Sequence, residues 1–447
     1  MPVKLSASLL LRAKVEGLTA WNLSVDCLML IDPVDRLLDV LPREMRVGLL
    51  ANQVSFSFTR NRYSFEVIPG LERVFLPEHG LFAELQDQIP IDSVSPYRFL
   101  RDVQWVSLYG ERESSLLPDA SLLKDLDMII VDVQDVGARY YTFLTSVFYA
   151  MQVALTLENP PAFCIVDRPN AAGRAVEGTP LQSRYASFVG VPGVPHRHGL
   201  TAAELLLYYR DRHPDLKNGH RLKFAVIPYD HSIPIKDETG WLTKETDRRT
   251  AMQPPWTIPP SPNMPSPITP LVYAGQCLLE GTNLSEGRGT TRPFEIFGAP
   301  YIDENWMMSL AQRDEIRQAD LSLRPLRFIP TFHKFAGSVC NGWQLLPLGR
   351  RFHSLLFSLD LLRLIKERFT DFAWRTETYE YRDDLLAIEM LAGDDRLLEY
   401  LNGRGKRFEL QQYLEAEERR WVEQAQPYVL YGDVLAPTAG QGSSERS

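Results

Sequence analysis

"MIIVDV", residues 128–133, decides how this chain folds. Four apolar residues run in succession before a carboxylate appears. A strand with one face in water alternates apolar and polar residues, so an unbroken run suits a parallel strand covered on both faces. Similar runs lie on either side: "RVGLLAN" (46–52), "YSFEVIP" (63–69), "ERVFL" (72–76), "VQWVSLYG" (103–110), "AFCIVD" (162–167) and "KFAVIPY" (223–229). Helical stretches fall between them, notably "YYTFLTSVFYAMQVALTL" (140–157) and "TAAELLLYYRD" (201–211). The alternation predicts a doubly wound α/β domain with a mostly parallel sheet, assigned residues 1–235. In that architecture the functional crevice lies outside the carboxyl ends of the strands, so the polar residues just beyond them carry the chemistry.

Beyond residue 235 the texture changes. The stretch "MQPPWTIPPSPNMPSPITP" (252–270) is too rich in proline for a helix or central strand, and Trp256 and Met264 predict a packed, extended loop. The segments "LDLLRLIKERF" (359–369) and "RFELQQYLEAEERRWVEQAQ" (407–426) read as helices. A second, accessory domain is assigned 236–435, and the small polar stretch 436–447 is expected to be a disordered tail.

With 447 residues, 45% hydrophobic content and a formal charge of -9, the chain can bury a large core and has no basic stripe for a polyanion. Nucleic acid is therefore excluded as a partner. Cys27, Cys164, Cys277 and Cys340 lie too far apart for metal spacing or a disulfide framework, and are expected to be reduced and buried. Arg12 interrupts the short apolar run in "MPVKLSASLLLRAKVEG", so no export signal is visible, and no stretch approaches the roughly 20 apolar residues of a membrane span. The expectation is a cytoplasmic protein.

Polar clusters follow the strands in order: Glu78 and His79 in "VFLPEHGLF" (74–82), Asp132 and Asp135 in "VDVQDVGARYYT", then Asp167, Arg168 and Asn170 in "VDRPN". Loops add Glu177, His196, His198 and "EGTNLSEGRGTTRPFE" (280–295). Each has a bland reading. Glu78 and His79 suit a solvated loop, Asp132 a buried pair with Arg139 or a backbone turn, and Asp135 a helix cap; Asp132 and Asp135 could also hold a hard cation. Thr201 and Glu204 form a capping box, which accounts for both. His213, His220 and His353 have no ligand spacing. The glycines of "SEGRGTT" (285–291) lack the phosphate-loop arrangement, no dinucleotide fingerprint follows a strand, and HExxH is absent, so no cofactor or metal is expected. Carboxylates without a cofactor suit acid/base hydrolysis. Glycoside cleavage, which uses a carboxylic acid and usually a second carboxylate, has candidates in Glu78, Asp135, Glu177 and Glu286, with Tyr109, Tyr140, Trp256 and Tyr273 as sugar platforms.

Taken together, "LPEHG" (76–80), "SLYG" (107–110), "DVQDVGARYYT" (132–142), "VDRPN" (166–170), "VEG" (176–178), "SFVG" (187–190), "HGLTAAEL" (198–205), "PSPNMP" (260–265) and "EGTNLSEGRGTTRPFEIFGAP" (280–300) resemble the bacterial exo-β-N-acetylmuramidases of the NamZ type. The resemblance spans roughly residues 25 to 432. It implies a Rossmann-like domain, a smaller α+β accessory domain, and a cleft between them that removes N-acetylmuramic acid from the non-reducing end of peptidoglycan fragments. It also implies that Glu78 is the catalytic carboxylate, tuned by His79, with Asp135 or Glu177 as a second group unless the substrate's acetamido oxygen serves. The lactyl carboxylate of muramic acid calls for a guanidinium fork, from Arg139, Arg168 or Arg288, with Tyr140, His198, Asn263 and Glu286 as further substrate contacts. The chain departs from the family after Gly80, where "LFAELQDQIPIDS" replaces an aromatic and an Arg-Gly turn followed by acidic residues, and in showing no export signal where many relatives are exported, which implies either action on imported fragments in the cytoplasm or a trimmed start. A muramyl-sugar-binding protein without activity and a nucleotide-dependent transferase stay open as alternatives, as does the oligomeric state.

Overall fold

Met128 and Ile130 turn to one side of the central sheet and Ile129 and Val131 to the other, and both sides are buried. That is why the run in the sequence is unbroken. The protein is described by a computed structural model covering residues 32–82, 103–110, 112–243, 258–312, 320–349 and 352–438. The sheet comprises β1 (Val47–Ala51), β2 (Leu71–Leu76), β3 (Gln104–Ser107), β4 (Met128–Asp132), β5 (Ala162–Val166), β6 (Phe224–Ile227) and β7 (Lys236–Asp237), in the order β3-β2-β1-β4-β5-β6-β7. Neighbours are parallel except for the edge strand β7. The direction of winding reverses between β1 and β4, where Ala51 pairs with Asp132, the Rossmann switch point.

Helix α1 (Pro33–Val40), opened by a capping box on Asp32, packs Val34, Leu37 and Val40 on one face of the sheet. Helices α2 (Phe143–Thr156) and α3 (Ala202–Arg212) cover the other. Thr201 and Glu204 form the expected capping box on α3. One predicted strand is different. In "YSFEVIP" residues Ser64–Val67 form a helical turn, because the Glu66 carboxylate accepts the Tyr63 N–H at 2.8 Å.

The C-terminal part holds α4 (Thr269–Gln276), α5 (Ser354–Arg368), α6 (Arg407–Ala425) and an antiparallel sheet of β8 (Ile296–Ala299), β9 (Leu321–Phe328) and β10 (Cys340–Pro347), ordered β8-β10-β9. Trp343, Leu355, Leu414 and Trp421 belong to the same buried cluster as α2 and α3, so the two parts share one core. The first sheet extends past residue 235 through β7. In the segment expected to be a tail, Ala436–Pro437 pair in parallel with Ala175–Val176; the remainder from 439 lies outside the described residues. Met264 is buried, as the packed reading of the proline-rich loop requires, whereas Trp256 lies outside the described residues. Cys164, Cys277 and Cys340 are free and buried; Cys27 also lies outside. Among the described residues no helix is long and apolar enough to cross a membrane.

Candidate active site

Strand β2 ends at Leu76, and Pro77 prevents its continuation. His79 and Gly80 then both adopt left-handed backbone, at φ 73 and 79, which swings the chain sharply off the sheet edge. Glycine accepts that conformation readily, but at a histidine it costs about 1–2 kcal/mol. The turn leaves the Glu78 side chain almost wholly buried, with Thr142 Oγ1 donating to Oε2 at 2.7 Å from the head of α2. Glu78 and His79 line a cleft together with Tyr140, Asn263, Tyr273, Glu280, Arg288, Tyr379 and Glu380.

Arg288 reaches the cleft from between Gly287 and Gly289, both left-handed at φ 81 and 77. A Cβ on Gly289 would sit 2.7 Å from the Phe332 backbone, so only glycine fits there. The guanidinium donates from Nη2 to Glu280 Oε1 at 2.7 Å, while the Tyr379 hydroxyl donates to Glu280 Oε2 at 2.6 Å. Behind it Glu286 is fully buried beside Lys334 at 2.9 Å and His333 at 3.1 Å. Burial pushes its carboxyl up, but Lys334, His333 and Arg288 outweigh that and hold it well below the usual range. Glu286 is thus a permanent anion that anchors the Arg288 wall, and it does not line the cleft.

The last wall is a turn in which Tyr379 and Arg382 exchange both backbone hydrogen bonds, leaving Glu380 and Tyr381 at φ 45 and 66. It docks on the end of β3. The Tyr109 hydroxyl donates to Glu380 Oε2 at 3.3 Å, and the Tyr381 hydroxyl to the Gly110 carbonyl at 2.7 Å. The Tyr109 phenol is pushed far up, first by burial and then by the charges of Glu380 and Glu78.

Several candidates belong to the interior instead. Arg168 is buried between Asp32, at 2.7 and 3.0 Å, and Asp132 at 2.7 Å, so Asp132 pairs with Arg168 rather than Arg139. Arg139 spends its guanidinium on the carbonyls of Thr179, Leu391 and Ala392, and burial lowers it to about 10. Neither lines the cleft. Asp135 accepts the Gly137 N–H at 2.6 Å and lies 3.4 Å from Nε2 of His198, whose Nδ1 accepts from Leu200; both are turn-holding groups. Glu177 is fully buried, 2.7 Å from Arg197 and 3.3 Å from His353. Burial raises its carboxyl, but His353 and Arg197 prevail and depress it to about 2. Among the described residues no group of His, Cys, Asp and Glu has the arrangement of a metal site. Conversely, Glu280, Tyr379, Glu380 and Thr142 were missed as site residues. Glu280 opens the motif 280–295 and was within reach, whereas "TETYEYRDD" (376–384) has no signal beyond polarity.

A doubly wound α/β domain whose strand-end carboxylate lines one cleft with an arginine and further carboxylates is built as an acid/base enzyme. The relatives narrow this further. Residues 47–268 match the family model described as exo-beta-N-acetylmuramidase NamZ, N-terminal, and residues 271–431 match its C-terminal counterpart, so the chain belongs to the NamZ family. It is 32% identical over 333 residues to the peptidoglycan beta-N-acetylmuramidase NamZ of Bacillus subtilis (strain 168), covering 73% of this chain and 74% of that one. Crystal structures of two DUF1343 family proteins from Bacteroides fragilis NCTC 9343 share the fold. One superposes with a TM-score of 0.66 at 22% identity, covering 87% of this chain and 94% of the other. The second gives 0.65 at 24% identity, covering 90% and 99%.

Proposed function

We propose that the chain is an exo-β-N-acetylmuramidase that releases N-acetylmuramic acid from the non-reducing end of peptidoglycan fragments. The observation that carries this is Glu78, a buried carboxyl fixed by a strained turn in a cleft that also holds a guanidinium. Glu78 acts as general acid: it gives its proton to the departing glycosidic oxygen, while Thr142 holds the other carboxyl oxygen in place. Arg288 presents donors to the lactyl carboxylate, and Tyr140 and Tyr273, packed edge to face at 5.8 Å, offer an apolar floor. The family membership and the activity named for the Bacillus subtilis relative support the same substrate. A nucleotide-dependent transferase is disfavoured, because the switch point is filled by the Asp32–Arg168–Asp132 network. Action on imported fragments inside the cell is part of this reading, tested by locating the protein after cell fractionation.

The test is turnover of a muramyl disaccharide by the wild type and by Glu78→Gln. Release of free N-acetylmuramic acid by the wild type, and a loss on the order of 10²–10⁴-fold in the folded variant, is the expected result. Intact disaccharide bound without cleavage would make the protein a binder. Full turnover by Glu78→Gln would remove Glu78 from the chemistry.

A further inference from the structure

Resting on that reading, we infer that Glu380 is the second catalytic carboxylate, delivered to the cleft by the 379–382 turn. Glu380 and Glu78 both line the cleft and come from opposite parts of the chain, and the Tyr109 hydroxyl donates to Glu380 Oε2 at 3.3 Å. The turn itself is the second observation. A two-residue turn with both central residues left-handed takes glycine or asparagine almost by rule, yet here it carries glutamate and tyrosine. Such strain persists where the surroundings over-determine it, as they do through Tyr109 and Gly110, and it concentrates where a side chain must be aimed. Glu280, by contrast, is neutralised by Arg288 and serves the wall.

The chemistry closes with one water. As the bond from C1 to the glycosidic oxygen breaks, its electron pair stays with the oxygen and Glu78 supplies the proton. Water forms the new bond to C1 and passes a proton to Glu380. The two carboxyls have then exchanged protonation, and solvent resets them. The product anomer is inverted.

The experiment uses the full chain, para-nitrophenyl β-N-acetylmuraminide, and the variants Glu380→Gln and Glu380→Ala. Because para-nitrophenolate departs without protonation, this substrate isolates the base. Expected are a fall in kcat of about 10³-fold or more, KM within about threefold, an unchanged circular dichroism spectrum, and partial recovery of Glu380→Ala by azide with an α-glycosyl azide as product. A folded variant with kcat within tenfold of wild type overturns the assignment, as does a loss that azide leaves untouched, or a β-anomer as the first product of the wild type. Wild type silent on both this substrate and the disaccharide would instead bring down the muramidase reading, and this assignment with it.

Discussion

A carboxylate aimed at a scissile bond and one locked in an ion pair are the same letter in a sequence. Glu78 and Glu177 both sit in loops near strand ends, yet Glu78 lines the cleft while Glu177 is wholly enclosed by Arg197 and His353. What separates them is the partner, and partners come from residues far away in the chain. Arg139, Arg168 and Arg288 make the same point, since only Arg288 among them lines the cleft. Replacing Thr142 by Val should cut kcat about tenfold, roughly 1.4 kcal/mol of barrier, because the 2.7 Å bond that orients Glu78 is gone while the shape is kept. Steady-state kinetics on the disaccharide check this. Arg288→Ala should lose about 10²-fold in kcat/KM on muraminides, about 2–3 kcal/mol for a charge-assisted contact, and Arg288→Lys should recover only part of it for want of the fork. Parallel assays of a glucosaminide give the control, and thermal melts confirm folding.

Elements were more legible than sites. Every parallel strand of the sheet falls within or one residue beyond a stretch whose successive apolar residues announced it, and α3 begins at the expected cap. The exception, residues 63–69, fails because a local side-chain bond from Glu66 outcompetes strand pairing. Turns that build the cleft could not be read, because two of them place residues against their own preference: His79, and the pair Glu380 and Tyr381. Where glycine does mark such a turn, substitution should be costly. Gly289→Ala should destabilise by more than about 1 kcal/mol, since φ 77 and the Phe332 backbone both oppose a Cβ, and should raise KM by displacing Arg288. Chemical denaturation and kinetics on the same preparation would show both effects together.

At the scale of the whole molecule, the N- and C-terminal parts are joined by a buried charge relay. Glu177 meets His353, whose other ring nitrogen lies 2.8 Å from Glu418, and Glu418 in turn accepts the N–H groups of Gly178 and Thr438. Burial lowers the imidazole, but the two glutamates prevail and raise it to about 10. A raised histidine contributes its full stability below the unfolded value of 6.5 and loses it as pH climbs toward 10. Glu177, depressed from 4.5 to about 2, contributes above 4.5 and fails as pH drops toward 2. Unfolding free energy should therefore peak between these limits and decline on the alkaline side by at most about 1.4 kcal/mol per pH unit from this group. His353→Gln should lower the peak and flatten the alkaline slope in denaturant titrations. The same relay bears on biosynthesis. Strands β1 to β7 have all been synthesised once residue 237 is made, yet Arg139 still lacks the carbonyls of Leu391 and Ala392, and Glu177, though it has Arg197, still lacks His353. The N-terminal part must wait, with the buried Arg139 guanidinium short of two of its carbonyl partners, until 155 further residues, 238 to 392, have been translated, so early release or a stop codon ahead of that point should yield a product that chaperones and proteases meet before any folded enzyme exists.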